Sequence, residues 1–380
     1  MYRVLSAHGL FNLARAFIGA VLVIYLINQG IDLSVIAIAK SAQLVTSVIF
    51  NYPAGLISDR YGNKITILLA CIAEIIYFSL MLNPTDTTVI VGEMFNGLGI
   101  ALYVGAYEAW LFTHKKDNED SFSLISRSSE ALFIATILSG VIGAIFSQYS
   151  LFLSISFMAI SFSVYAITPE KRKFDTLNES RKDNKSGISK LLKTADKNVI
   201  NYVIIGGLIQ LIYQFWPVFF KNDPIYYTPK EVGFVFAASM VAQWFFTSHA
   251  RKNNFNKKRY AELFCYVGII VTSVTTIFTP YYFTNNHFFV VISYCLFISF
   301  CTLTVNYYFS HSCDIYSGSR DESSMISLLD TSARCFGALA LAIVSLVNIQ
   351  NISIIWSIFP IFALIVSVTR ASKKVLSYEF

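Results

Sequence analysis

Charged residues are scarce in this sequence. Asp, Glu, Lys and Arg make up only 14% of the 380 residues, whereas hydrophobic residues make up 55%. Soluble domains carry roughly 25% charged residues. The deficit extends over the whole length, and the mean hydropathy is +0.57. This composition argues against a soluble globular enzyme.

The residues that usually build metal or catalytic centres are also few and dispersed. The six cysteines have no paired spacing, which argues against a disulfide framework or a metal site and favours small buried apolar side chains. The five histidines are scattered, and no phosphate-binding glycine loop is present, which argues against ATP as an energy source. We therefore expect no metal, no cofactor and no enzymatic activity. A membrane-embedded enzyme or a receptor remains as a remote alternative.

Long apolar runs dominate what is present. A helix needs about 20 apolar residues to cross a hydrocarbon core of roughly 30 Å. Twelve runs approach this length, and they predict an all-α polytopic membrane protein with twelve transmembrane helices. The first run contains Asn12 and Arg15 and lacks a cleavage site, so we interpret it as a retained helix. The predicted spans are 7–28, 33–57, 64–83, 87–112, 122–147, 150–168, 198–220, 231–250, 260–279, 288–310, 325–347 and 351–369.

The basic residues predict the orientation. If both termini and alternate loops are cytoplasmic, 23 of the 29 Lys and Arg residues lie on that side, as the positive-inside rule requires. The net charge of +6 thus follows from topology. The sequence shows no folded basic surface with interleaved aromatic residues, so it does not indicate a nucleic-acid partner. We expect a multi-pass protein of the cytoplasmic (inner) membrane with both termini in the cytoplasm.

A polar segment divides the chain. Residues 169–197 are rich in charge, Ser and Asn and cannot support a core, so we interpret them as a cytoplasmic linker, with contact to anionic lipid as the alternative. It separates a six-helix bundle over 1–168 from a second one over 198–370, followed by a cytoplasmic tail over 371–380. A shift of 203 residues weakly repeats the sequence, placing Ser121 and Ser129 on Ser324 and Ser332. Two parallel repeats of six helices are typical of transporters.

The loop after the second span carries the most informative motif. Gly55, Asp59, Arg60, Gly62 and Lys64 follow the pattern Gly-x-x-x-Asp-Arg-x-Gly-x-Lys. Together with the six-plus-six topology, this loop resembles motif A of the major facilitator superfamily. The resemblance implies a cytoplasmic gate beside the start of the eleventh span. It also implies that Glu108, on the fourth span, faces Arg60 or Lys64, with an isolated rim charge as the alternative.

Finer features resemble the drug-efflux members of that family. Asn51-Tyr52-Pro53-Ala54-Gly55 and Gly105-Ala106-Tyr107-Glu108-Ala109-Trp110 are similar to their segments, although those members often have an acid at the position of Asn51. Gly140-Val141-Ile142-Gly143 resembles the antiporter motif without its proline, and we expect close helix packing there. The second-half loop 251–259 lacks the acid and glycines of motif A, so a matching gate is not expected.

Charged residues inside the spans require partners, because each costs at least roughly 2.5–3.5 kcal/mol at a helix centre. Similar depth predicts the pairs Arg15 with Glu74 and Lys40 with Glu93. Helical spacing predicts local pairs of Arg127 with Glu130, at the gate, and of Asp330 with Arg334. Carboxylates in dry surroundings take up protons more readily. We therefore assign proton coupling to Glu93, tuned by Lys40 and assisted by Glu74, with a static Lys40–Glu93 pair as the alternative.

The family resemblance places a substrate cavity among the first helices of each triplet. Polar and aromatic side chains on these spans favour a partly polar amphiphilic solute, and the alternative is that the aromatics only fill the core. The sequence thus predicts a monomeric, proton-driven exporter of a drug, antibiotic or small peptide-like compound by alternating access. The rival is a proton-coupled importer of a small nutrient. The candidate cavity residues are Asn12, Arg15, Asn96, Gln210, Tyr213, Gln214, Asn306 and Tyr307.

Overall fold

The structure is a computed structural model that describes residues 1–19, 22–115, 120–146, 149–170, 196–221, 229–258, 260–282, 287–317 and 321–347. Within these ranges it contains twelve α-helices, one 3-10 helix at Phe255–Lys257 and no β-strand. The helices are α1 Tyr2–Gly19, α2 Leu22–Asn28, α3 Leu33–Tyr61, α4 Asn63–Leu80, α5 Asp86–Phe112, α6 Ser121–Ile145, α7 Ser150–Ile167, α8 Lys197–Lys221, α9 Pro229–Lys252, α10 Ala261–Tyr282, α11 His287–Tyr316 and α12 Glu322–Val347.

The helices correspond to the predicted spans in order. The first span is described as α1 and α2, and the next ten spans are α3 to α12. Seven helices in the described ranges are long and apolar enough to cross a membrane by length and composition. The twelfth predicted span, the tail over 371–380 and residues 171–195 of the linker lie outside the described residues. All six cysteines are free, and five of them are buried, as expected for small apolar side chains.

The turn between α3 and α4 depends on one glycine. Gly62 adopts a φ of +104°, a backbone conformation that favours glycine, and its N–H bonds to the carbonyl of Ser58. The side chain of Ser58 also bonds to Asn63, at 2.6 Å. These contacts end α3 at Tyr61 and start α4 at Asn63 without an intervening loop.

The chain forms two compact units, which differ from the two halves of the sequence. Unit 1 comprises Met1–Asp120, Ala131–Thr194 and Tyr316–Thr331, and unit 2 comprises Ser121–Glu130, Ala195–Ile315 and Ser332–Phe380. Unit 1 therefore includes the first ten residues of α12, and unit 2 includes the first ten residues of α6. The two-bundle division at the linker stays a prediction.

Each unit has its own aromatic core. In unit 1, α3 and α4 pack against α5, and α1 and α4 pack against α7. Fully buried side chains there include Phe11, Phe78, Tyr107, Trp110 and Tyr165. In unit 2, the fully buried aromatic side chains include Phe122, Phe220, Tyr294, Phe297 and Tyr308.

Candidate functional site

Asp59 binds the first turn of α12 within unit 1. Its Oδ1 accepts a hydrogen bond from the backbone N–H of Ser323 at 2.9 Å, and its Oδ2 accepts one from the N–H of Ser324 at 3.0 Å. The first N–H groups of a helix have no intrahelical partner, and the positive end of the helix dipole favours an anion. The predicted proximity of the motif and the start of the eleventh span is therefore confirmed.

Two glycines let α12 approach this closely. A Cβ on Gly55 of α3 would lie 2.5 Å from the Cα of Ser324, and a Cβ on Gly105 of α5 would lie 1.9 Å from the Oγ of Ser327. Both distances are far shorter than a real Cβ contact permits. The start of α12 therefore occupies a groove whose two walls have no side chain at the points of contact.

Asn51 extends this contact by one further turn of α12. The side chain is buried, and its Nδ2 lies 3.1 Å from the carbonyl oxygen of Ser327, 3.1 Å from Asp330 Oδ2 and 2.8 Å from Thr331 Oγ1. In the sequence, Asn51 was notable only because the drug-efflux members of the family often have an acid at this position. The structure explains the amide, because it can donate to acceptors where a carboxylate would face the carboxylate of Asp330.

The remaining motif residues lie around the start of α4. Lys64 donates to the carbonyl oxygens of Ala166 and Thr168, the latter at 3.1 Å, at the end of α7. The N–H of Asn63 donates to Glu170 at 2.7 Å, and the Arg60 guanidinium lies 5.3 Å from the ring centroid of Tyr61. The pairing of Glu108 with this loop stays a prediction, as does the gate role of Arg127.

A second polar cluster lies deeper in unit 1 and confirms both pairings that were predicted from depth. Lys40 Nζ lies 2.6 Å from Glu93 Oε1, and Arg15 Nε lies 3.2 Å from Glu74 Oε1. The side chains of Glu74 and Glu93 are 0% and 1% exposed, whereas those of Arg15 and Lys40 are 30% and 40% exposed. Each buried acid is thus paired with a more accessible base.

The two carboxylates differ in their hydrogen bonds. Glu93 Oε1 also accepts from the Tyr77 hydroxyl at 3.3 Å, and its Oε2 accepts from the Asn96 amide at 2.9 Å. Neither oxygen of Glu74 accepts a hydrogen bond within the described part of the chain, since the contact with Arg15 lacks hydrogen-bond geometry. Each carboxylate oxygen of Glu93 therefore accepts at least one hydrogen bond, whereas Glu74 is held by its ion pair with Arg15.

Asn96 joins the two ion pairs into one chain of contacts. Its Oδ1 accepts from Arg15 Nη2 at 3.2 Å, while its Nδ2 donates to Glu93. The order of contacts is Glu74, Arg15, Asn96, Glu93 and Lys40. A single buried amide therefore connects the two ion pairs.

A buried chain of hydrogen-bonded aromatic side chains, which the sequence analysis did not identify, begins on α1. His8 Nδ1 lies 2.8 Å from the Tyr103 hydroxyl, and that hydroxyl lies 2.7 Å from the hydroxyl of Tyr165. Asn12 donates to the carbonyl of His8 at 2.9 Å, so its amide engages its own helix. The aromatic residues on α1 and α5 were the signal in the sequence that could have indicated this contact.

In unit 2, the polar centre is Gln243 of α9, which the sequence analysis did not select. Its Oε1 accepts from the Tyr213 hydroxyl at 3.1 Å and from Thr302 Oγ1 at 2.7 Å, and the side chain is fully buried. Gln210 and Gln214 lie on α8, and their side chains are outside the described part. Tyr213 is the member of that predicted cluster whose contacts are described.

Glu130 has a different partner from the predicted one. Glu130 accepts from Arg251 Nε at 2.7 Å and from Arg251 Nη2 at 2.9 Å, a two-bond pair within unit 2. Glu130 is therefore held by Arg251, whose planar guanidinium binds both carboxylate oxygens, and not by the predicted local partner. The second-half loop, which lacks motif A, still binds α6 through its first base.

Other contacts hold the start of α6 in unit 2. Ser121 donates to Asp314, and Ser129 donates to Asn306 Oδ1 at 3.2 Å. Tyr307 packs against a buried cluster that includes Phe122, Phe255 and Leu303. A shared substrate cavity for Asn306, Tyr307 and the unit 1 residues stays a prediction. An added Cβ on Gly140 would meet no described atom within 4 Å, so the close packing expected along Gly140-Val141-Ile142-Gly143 is not found at its first glycine.

Comparison with protein families gives a match over most of the chain. The sequence model of the Major Facilitator Superfamily matches residues 4–342. Among curated proteins, YxaM of Bacillus subtilis (strain 168), described as an uncharacterized MFS-type transporter, is 24% identical over 250 residues. That alignment covers 61% of each chain, so the chain spans about three fifths of the length of this relative.

Solved structures of transporters share the fold. FucP, in the outward conformation, has a TM-score of 0.78 at 12% identity, with 97% of this chain and 96% of that chain covered. The proton:xylose symporter XylE gives 0.71 at 12% identity, covering 97% and 93%. The human organic anion transporter MFSD10 gives 0.71 at 13% identity, covering 96% and 98%. At these identities the similarity establishes the fold alone.

Proposed function

The chain belongs to the major facilitator superfamily, and from this premise we propose that it is a proton-coupled exporter of a drug, antibiotic or small peptide-like compound. Membership makes it a polytopic membrane transporter with the twelve-helix, all-α fold and not an enzyme, as predicted. The substrate class, the direction and the coupling ion belong to the proposal. The driving force is the proton gradient, without a cofactor.

The observation that carries the proposal is the contact between Lys40 and Glu93. The Glu93 carboxylate is 1% exposed and lies 2.6 Å from the Lys40 ammonium group, and a buried charge is strongly destabilised when its partner is removed. Lys40 is partly accessible, so it can withdraw toward solvent, and a proton can then replace it on Glu93. In this proposal Glu93 alternates between pairing with Lys40 and carrying the proton that drives transport.

Asn96 supports coupling between proton and substrate. When Glu93 becomes protonated it no longer attracts Lys40, and the amide that donates to it also accepts from Arg15. Arg15 is 30% exposed and faces Glu74 on its other side. In this proposal Arg15 and Asn96 contact substrate, Glu93 carries the proton, and Glu74 returns Arg15 to its resting position after release.

The contacts of Asp59 support a separate gating role. Asp59, Gly55 and Gly105 hold the start of α12 through backbone groups and close packing. We assign this set to the conformational change and not to substrate binding. The Glu130–Arg251 pair would hold the start of α6 in the same way within unit 2.

The test is a susceptibility screen against toxic compounds in cells with and without the protein, repeated with Glu93→Gln. We expect protection by the native protein and its loss in the variant, while purified Glu93→Gln still binds the compound. Full gradient-driven transport by Glu93→Gln would overturn the proton role. Protection against no compound would remove the support for export.

The rival direction is tested in proteoliposomes. Uptake of a nutrient driven by an inward proton gradient, with no efflux of toxic compounds, would establish an importer. The sugar symporters among the structural neighbours share the fold at 12–13% identity and give no direction for this chain. We further propose a monomer in the cytoplasmic membrane with both termini in the cytoplasm, as the basic loops predict.

A further inference from the structure

A cavity in unit 2 lies apart from the proposed transport machinery. It has a volume of about 250 Å³ and lies where α9, the 3-10 helix, α10 and α11 meet. Pockets that enclose drug-sized ligands measure roughly 300–1,000 Å³, so this one suits an end of a longer molecule. It is lined by Phe245, Phe246, His249, Ala250, Asn253, Phe255, Lys258, Tyr260, Phe264 and Leu303.

The walls of the cavity are apolar and open toward the lipid-facing surface. Phe245 and Phe264 are 59% and 45% exposed, and the neighbouring Leu263 is 64% exposed. Phe264 and Leu263 lie on α10, which is long and apolar enough to cross a membrane, and exposed apolar surface there would contact hydrocarbon and not water. Phe255 and Leu303 close the inner side as part of a buried cluster. The cavity thus offers an acyl chain a path from the bilayer to the protein.

The rim is polar and basic. His249, Asn253 and Lys258 lie at the end of α9 and in the connection to α10, and Lys258 Nζ lies 5.8 Å from the ring centroid of Tyr260. Tyrosine and lysine at the end of a membrane helix are typical of the interface, where the ring meets lipid and the ammonium group meets headgroups.

Charge determines which lipid fits. Between Glu231 and Glu262 the sequence contains five Lys and Arg residues and no acid. Glu262 itself is paired with Lys197 at 2.7 Å. Arg251 is paired with Glu130, so an anionic headgroup meets the other bases of this connection, with Lys258 at the rim of the cavity. This is the side on which anionic lipids attract basic segments.

We propose that this cavity binds an anionic phospholipid of the cytoplasmic leaflet, with the phosphate at Lys258, His249 and Asn253 and the start of an acyl chain against Phe245 and Phe264. The proposal rests on the cytoplasmic placement of the 251–259 loop given above. It does not depend on the substrate or on the direction of transport.

The test uses purified protein in detergent and measures thermal stabilisation and native mass spectra as phosphatidylglycerol is added. Phosphatidylcholine with the same acyl chains and soluble glycerol phosphate are the comparison ligands. We expect phosphatidylglycerol to bind most tightly and Lys258→Ala to weaken it about fivefold, the effect of one basic residue near an anionic headgroup. Phe264→Ala should weaken it as well, through the chain contact.

Lys252→Ala is the matched control, since Lys252 is an exposed base of the same connection that does not line the cavity. It should leave binding within about twofold of the native protein. Equal binding of phosphatidylcholine, or an equal loss in Lys252→Ala, would overturn the proposal in favour of non-specific lipid contact. Full competition by glycerol phosphate would show a site for a soluble phosphate compound and would also overturn it. None of these readouts depends on transport.

Discussion

A Cβ atom on Gly55 would lie 2.5 Å from the Cα of Ser324. The atom that it would meet belongs to backbone, which cannot rotate away as the end of a flexible side chain can. The contact between α3 and the start of α12 therefore requires glycine at position 55, whatever the role of the charged residues beside it.

Gly55→Ala should release the start of α12. Overpacking a close contact costs about 1–3 kcal/mol, and this cost applies only to the conformation in which the two helices touch. A cysteine placed at Ser323, which is buried, should then react faster with a water-soluble maleimide in Gly55→Ala than in the parent.

Gly140→Ala is the control for that experiment, since an added Cβ at Gly140 meets no described atom within 4 Å. The labelling rate at position 323 should equal that of the parent. If Gly55→Ala also leaves the rate unchanged, the two helices do not hold this contact in the membrane.

Asp59→Asn should slow transport more than it weakens substrate binding. The amide retains one acceptor for two N–H groups and loses the charge that the helix terminus favours, a loss of about 1–2 kcal/mol, or roughly five- to thirtyfold. Initial transport rates and equilibrium binding of a compound found in the screen would separate the two effects.

Asp86→Asn serves as its control, since Asp86 is an exposed acid in the first turn of α5. It should change neither quantity. A parallel loss of rate and binding in Asp59→Asn would mean that Asp59 maintains the fold and does not act as a gate.

Lys40→Met should destabilise the protein, and Glu93→Gln should compensate. Without Lys40, Glu93 Oε1 keeps only the long contact with Tyr77, and an under-satisfied buried group costs about 1–3 kcal/mol. The melting temperature in detergent should fall in Lys40→Met and recover in the double variant. Additive losses would indicate that the two residues do not interact.

Asn96 should transmit the coupling between the ion pairs. Residues in one hydrogen-bonded network show interaction energies of about 0.5–3 kcal/mol. A double-mutant cycle of Arg15→Gln and Lys40→Gln should give a value in this range, and the value should fall to near zero when the cycle is repeated in Asn96→Ala. A cycle that keeps its value in Asn96→Ala would place the coupling on another path.

The stabilising effect of Glu130 should depend on Arg251 and not on Arg127. Glu130→Arg should lower the melting temperature, because it places two bases where a two-bond ion pair stood. Adding Arg251→Glu should restore part of the loss, whereas adding Arg127→Glu should not. Rescue by both changes would show that the position responds to net charge alone.

Several of these contacts could be predicted from the sequence, for reasons that lie in the bilayer. A membrane fixes how deep each residue of a helix lies, so counting from helix ends paired Arg15 with Glu74 and Lys40 with Glu93 before any contact was known.

Depth alone does not specify which faces meet. Glu130 had a base three residues away on its own helix, but its partner lies 121 residues further along the chain. Lys64 binds the carbonyls at the end of α7, a contact that no depth argument indicated. Hydropathy does not reveal that Gln243 is buried between Tyr213 and Thr302. A single glutamine changes the mean hydropathy of a whole span very little.

The sequence by itself therefore determined the fold class, the order of the spans and the position of the motif A loop, since length, hydropathy and basic loops are local properties that a bilayer selects residue by residue. Only the tertiary structure decided that Asp59 binds backbone N–H groups, that Asn96 joins two ion pairs, and that Gly55 and Gly105 receive α12. Those contacts depend on helix rotation and interhelical distance, which close packing of side chains sets and no single segment encodes.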